Sequence, residues 1–98
     1  MHSVEVLIAA DHPSAAGHFT GNPIVPGAVL LSEVFAAWQR ITGDTDRAIA
    51  LRSAKFISPT RPGDRVSIHF DSAATGSVKF TCAVGTTLVV SGVLSYTP

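Results

Sequence analysis

The segment Gly27–Thr42 is the strongest constraint on how this chain folds. Nearly all of it is apolar, no proline interrupts it, and Gly43 stands where a helix would stop. A helix turns by about 100° per residue, so Ser32 and Gln39 fall near one line and Glu33 and Arg40 near another about 90° away. Apart from the terminal Thr42, everything else on the surface of this helix is apolar. A helix with one narrow polar sector is mostly buried, so the rest of the chain has to wrap around it. With 98 residues there is material for one core, and residues 1–98 are expected to form a single domain. A domain of this size buries roughly two-thirds of its unfolded surface, which makes self-association a reasonable expectation.

The wrapping is supplied by strands. Ser3–Ala9 is rich in Val, Leu and Ile and reads as a strand, as does Ala48–Ile57. After the turn residues Pro59-Thr60-Arg61-Pro62-Gly63-Asp64, Val66, Ile68 and Phe70 alternate with Ser67, His69 and Asp71, the pattern of a half-buried strand. Val78, Phe80, Cys82 and Val84 alternate again beyond Thr75-Gly76-Ser77, and Leu88–Tyr96 follows Gly85-Thr86-Thr87 as a final strand. Successive strands joined by short turns pair antiparallel. The expected class is α+β, an antiparallel sheet curled around one long buried helix.

Charge and cysteine content narrow the function classes. Seven basic residues balance seven acidic ones, which argues against a partner such as nucleic acid. Cys82 is the only cysteine, so no intrachain disulfide can form, in keeping with a reducing compartment. The N-terminus has no basic segment followed by an apolar run, and the helix is broken by Ser32, Glu33, Gln39 and Arg40 before it could span a bilayer. A cytoplasmic protein without membrane contact is expected. His2, His12 and His69 have no metal-ligand spacing with one another or with Cys82, so no metal site is expected.

Chemistry concentrates ahead of the helix. Asp11–Pro26 is a long loop stiffened by three prolines, and loops of that length in small domains are more often functional than incidental. Its second half, His18-Phe19-Thr20-Gly21-Asn22-Pro23-Ile24-Val25-Pro26-Gly27, carries an imidazole towards a helix N-terminus. A base with a near-neutral pKa and free backbone amides are the groups that enolate formation requires.

That string, with Lys55-Phe56 and Pro59 followed by Arg61-Pro62-Gly63-Asp64, resembles the hotdog-fold 3-hydroxyacyl-ACP dehydratases. It is especially similar to the short dehydratase-like members of bacterial polyketide and aryl-polyene pathways. The resemblance covers nearly the whole chain. It implies a hotdog fold and a dimer, either with a second copy or with a related hotdog subunit, with an active site at the subunit boundary. It also implies a substrate carried on the phosphopantetheine arm of acyl carrier protein, and no cofactor. It assigns His18 as the base beside the thioester carbonyl and the Gly27 amide as the group that polarises that carbonyl. Phe19, Pro26 and Phe35 fall along the acyl channel, although Phe35, like Trp38, reads equally well as core.

The third catalytic position departs from the family. The acid is expected fourteen residues beyond His18, and Ser32 stands there, with Glu33 about a quarter-turn away. A serine is a poor general acid at neutral pH, and loss of such an acid costs about 10²–10⁴-fold in rate. Thr20 replaces the usual proline after His-Phe, and Ala36 stands where common members carry glutamine. The leading expectation is dehydration to a trans-2-enoyl thioester, with the acid supplied by Ser32 through water or by a displaced Glu33. The alternatives are a non-catalytic acyl-thioester-binding or heterodimer subunit and, third, a hotdog thioesterase. Five of the seven basic residues lie between Arg47 and Arg65, either as a solvated strand face or as a docking surface for an acidic carrier.

Overall fold

A computed structural model describes residues 2–8, 25–43 and 48–97. It contains five strands and one helix: β1 (His2–Leu7), α1 (Gly27–Thr42), β2 (Ile49–Phe56), β3 (Arg65–Ala74), β4 (Ser77–Val84) and β5 (Thr87–Tyr96). The helix has the bounds that periodicity predicts, and the strands follow their expected spans within two residues except β3, which runs three residues beyond Asp71 to Ala74; Ala9, the expected end of the first strand, lies outside the described residues.

All neighbouring strands pair antiparallel, in the order β1-β3-β4-β5-β2. β1 and β2 therefore occupy opposite edges and run the same way. No hairpin can join such a pair, so the chain between them must cross the sheet, and α1 lies in that crossover. The hairpins are short because glycines take the left-handed turn positions: Gly76 at φ 79° between β3 and β4, and Gly85 at φ 60° between β4 and β5.

The core lies between α1 and the inner face of the sheet. Leu30, Val34 and Ala37, at helical spacing, pack against Val66, Ile68 and Phe70 of β3, Val78, Phe80 and Cys82 of β4, and Val90 and Leu94 of β5. These side chains are almost fully buried, and each large one contributes roughly 1.5–3 kcal/mol by leaving water. Gly92 permits the closest approach in the sheet, because a Cβ there would collide with the Ser53 carbonyl oxygen and lie 2.6 Å from Phe80 Cζ.

The sheet covers only one side of α1 within a single chain. Ala28, Ser32, Ala36 and Arg40, a row at four-residue spacing, are exposed, while Glu33 is half-buried. β2 is likewise an open edge, exposed over most of its length, with Leu51, Phe56 and the following Ile57 among the exposed large apolar side chains. Among the described residues, no helix is long and apolar enough to cross a membrane.

Candidate active site

The start of α1 is built by three short connections. Ile57 and Ser58 donate backbone hydrogen bonds to the Val89 carbonyl at 2.8 and 3.3 Å, which directs the chain leaving β2 back beside β5. The turn that follows is closed twice: Asp64 N–H reaches the Arg61 carbonyl at 3.0 Å, and the Asp64 carboxylate accepts from Arg61 N–H at 2.8 Å. Gly63, at φ 94°, donates to the Ile8 carbonyl, and Ile8 donates to that of Asp64 at 2.9 Å, so the turn is pinned to the end of β1. Thr60 then accepts from Val25 N–H at 2.7 Å, and this bond sets where the helix begins.

Pro26 occupies the cap position with φ −58° and ψ 145°, offers no capping side chain, and no acidic residue follows in the first turn. Helix N-termini leave several amides without intrahelical partners, and they carry the positive end of the helix dipole. Gly27 is the first helical residue. A Cβ built on it would lie 2.6 Å from Cε1 of Phe56, so the aromatic ring rests on the space a side chain would fill. Beside it is a cavity of about 420 Å³, lined among the described residues by Val25, Gly27, Leu30, Phe56, Ile57, Ser58, Pro59 and Thr60. An apolar pocket with few polar groups beside uncapped amides is suited to an acyl group carrying one carbonyl.

The expected site residues fall into three groups. Gly27 lines the cavity. Pro26, Ser32, Glu33 and Phe35 do not: Pro26 is the half-buried cap, and Phe35 is half-buried against the core. Ser32 is exposed, and its hydroxyl donates to the Ala28 carbonyl one turn back at 3.0 Å, a local bond that serine readily makes inside a helix. His18 and Phe19 lie outside the described residues. Of the cavity residues that sequence reasoning did not select, Val25 and Leu30 flank the helix start, and Phe56, Ile57, Ser58, Pro59 and Thr60 lie in or beside the second family-like stretch. The signal in that stretch was a turn motif, which reports backbone shape and not proximity to a helix 30 residues away.

Two other chemical groups are accounted for by the fold. Burial pushes the Cys82 thiol up from 9.0 to about 12, so it remains protonated at neutral pH and is no nucleophile. Ser3, His69 and Asp71 form a line, with 2.8 Å from Ser3 Oγ to His69 Nδ1 and 3.4 Å from His69 Nε2 to Asp71. That line follows from register, because Ser3 pairs with His69 across β1 and β3 and Asp71 is two residues along the same face. It is open to solvent and none of its residues lines the cavity, so it lacks the enclosed carbonyl site of a nucleophilic triad.

Comparison with known proteins agrees with this architecture. The family model for ApeI-like proteins, described as ApeI dehydratase, matches residues 1–93. A 3-hydroxyacyl-[acyl-carrier-protein] dehydratase FabZ of Chlamydia trachomatis is 33% identical over 102 aligned positions, covering 91% of this chain and 67% of that protein. The FabZ of Levilactobacillus brevis is 31% identical and covers 82% of this chain and 62% of its own length. The chain thus spans about two thirds of the length of these relatives. Among solved structures, the dehydratase heterocomplex ApeI:P from Xenorhabdus doucetiae superposes with a TM-score of 0.77 at 17% identity, covering 98% of this chain and 86% of that one. An uncharacterized protein from Erwinia carotovora superposes at 0.80 with 24% identity, covering 98% and 82%. The F36A mutant of the fluoroacetyl-CoA-specific thioesterase FlK superposes at 0.69 with 9% identity, covering 99% and 88%. Likeness at these identities establishes a shared hotdog fold.

Proposed function

Because the chain belongs to the ApeI-like dehydratase family, we propose that it removes water from 3-hydroxyacyl thioesters on acyl carrier protein, leaving trans-2-enoyl thioesters. One observation carries this reading: the uncapped start of α1, with Gly27 at its first position, opens beside an apolar cavity of about 420 Å³. Residues 1–98 act in this reading as one hotdog domain in the cytoplasm, where the lone thiol of Cys82 suits a reducing environment.

The thioester carbonyl is received by the Gly27 amide, whose N–H and helix dipole stabilise negative charge on its oxygen. His18 takes the C2 proton, the electron pair moves into the carbonyl as an enolate, and its return expels the C3 hydroxyl. That hydroxyl needs a proton to leave as water. In this reading Ser32 delivers it through a bound water or Glu33 delivers it directly, both from outside the cavity wall. Phe19 borders the acyl path, while Pro26 and Phe35, which do not line the cavity, flank it at the helix cap and the core. Both protons come from substrate and solvent, so the scheme uses no cofactor.

A second copy or a related hotdog subunit completes the assembly along the open β2 edge. An exposed strand edge with Leu51, Phe56 and Ile57 beside it is a surface that another strand would cover. The exposure of Ser32 favours one further reading, that of a subunit that has lost the acid and works beside a competent relative; the ApeI:P dehydratase, whose fold this chain shares, is a heterocomplex. The thioesterase reading has only shared fold behind it.

Hydration of a crotonyl thioester on carrier protein tests these readings. The expected result is turnover by the unmodified chain that His18→Ala abolishes. Silence that Ser32→Asp converts into turnover shows a dehydratase scaffold disarmed at one position. Silence in both, with recovery on mixing with a related subunit, moves the assignment to the subunit reading. Release of free thiol moves it to thioester hydrolysis.

A further inference from the structure

The cavity beside α1 has an exposed mouth and a buried floor. On the mouth side Phe56 and Ile57 are 53% and 45% exposed, and Pro59 is exposed beside them. Val25, Leu30 and Thr60 line the same cavity and are at most 4% exposed. Beyond them the space closes. Val34, one turn further along α1, and Val89 and Val90 of β5 are fully buried, and none of the three borders the cavity. The pocket is therefore blind on its core side.

Leu30 is the part of that floor that belongs to the helix. A helical side chain leans towards the N-terminus of its helix and covers the turn before its own Cα. Leu30 thus leans towards Gly27, three residues back and about 4.5 Å away along the axis. Val25 is tied to the turn beside it, because its N–H is bonded to the Thr60 carbonyl at 2.7 Å, so these two residues form a fixed side wall. A thioester whose carbonyl oxygen lies at the Gly27 amide extends its acyl tail along this wall to Leu30. Each methylene buried on the way leaves water, and past Leu30 there is only packed core. A subunit covering the β2 edge borders the mouth residues Phe56 and Ile57 and leaves this floor, which is made by the chain's own core, where it is.

Resting on the dehydratase reading, we propose that Leu30 is a specificity-determining residue: its side chain is the floor of the cavity and sets the longest acyl chain that the site holds. The role falls to Leu30 and not to Phe35, which packs half-buried against the core and does not line the cavity. Chains that stop short of Leu30 gain affinity with every added carbon. Longer chains gain nothing further, because their ends have no apolar space to enter.

Calorimetric titration of the full chain with unreactive amide-linked acyl-pantetheines, from butyryl to dodecanoyl, tests this. In the wild type, affinity is expected to rise about fourfold per methylene and to stop rising at the length that reaches Leu30. Leu30→Ala removes most of the floor side chain and should move that break about two to three carbons longer. Leu30→Phe should move it shorter. Affinity that climbs unbroken to dodecanoyl in the wild type, or a break that stays in place in the folded variants, overturns the role of Leu30. Hydration of the crotonyl thioester, measured alongside, separates the two readings. Hydration without binding of any analogue overturns the floor and leaves the dehydratase reading standing. A break that moves as expected without any hydration upholds the floor and overturns the dehydratase reading alone. If neither binding nor hydration is seen, both fall. Leu30 also packs in the core, so thermal melting accompanies each titration. Where Leu30→Ala does not fold, Leu30→Val takes its place and must still move the break longer, by about one carbon.

Discussion

At its C-terminus α1 ends on Gly43, where φ 70° lets the glycine N–H reach the Gln39 carbonyl at 2.8 Å, and the Thr42 hydroxyl caps the Trp38 carbonyl at 3.0 Å. Arg40 lies in that last turn, complementing the negative end of the dipole. Trp38 lies against Phe70 and Tyr96, with ring centroids 5.2 and 5.5 Å away. At the N-terminus Pro26 supplies no cap, the first turn holds no carboxylate, and a cavity lies beside the single exposed ring of Phe56. One end of the helix is finished by the chain's own groups, and the other leaves amides and an apolar hollow beside them. Stability is concentrated where nothing needs to bind, and the unsatisfied groups are collected where a ligand can satisfy them.

The contrast breaks most severely at Trp38. Trp38→Ala should cost about 3 kcal/mol, read as a lower urea midpoint at unchanged slope, because the rings of Phe70 and Tyr96 lose their common partner. A loss below about 1 kcal/mol would mean that the C-terminal end is not the anchored one. A smaller effect is expected at Gly43. A Cβ there meets nothing within 4 Å, so Gly43→Ala should destabilise by about 1 kcal/mol through the left-handed backbone alone. The smallest effect has the opposite sign and sharpens the comparison. Pro26→Asp places a capping carboxylate at the open end and should stabilise by about 0.5 kcal/mol in thermal melts while lowering turnover of the crotonyl thioester. Unchanged turnover with the stabilisation in place would show that the first-turn amides do not meet substrate.

Local repetition explains why the outline of the fold was legible. The apolar run ending at Gly43 specifies α1 to the residue, and the alternation through Val66, Ile68 and Phe70 and through Val78, Phe80 and Cys82 specifies which side chains enter the core. Gly27 was legible as the residue that opens the helix, and the structure places it in the wall of the cavity. Ser32 was readable as a departure in chemistry but not in direction: its exposure and its bond to the Ala28 carbonyl depend on which side of α1 the sheet covers. An almost uniformly apolar helix does not announce that side.

The sequence by itself determined the elements, their order and the family, since helical and strand periods, glycine turns and the residue string around His18 are properties of neighbours along the chain. Only the tertiary structure decided that β2 lies at the far edge from β1, that the Phe56 ring covers Gly27, and that Thr60 is buried with an unpaired hydroxyl beside the start of α1. Those facts arise from contacts between residues about 30 positions apart. Such contacts are set by how a crossover packs a helix onto a sheet, and no local pattern of residues encodes them.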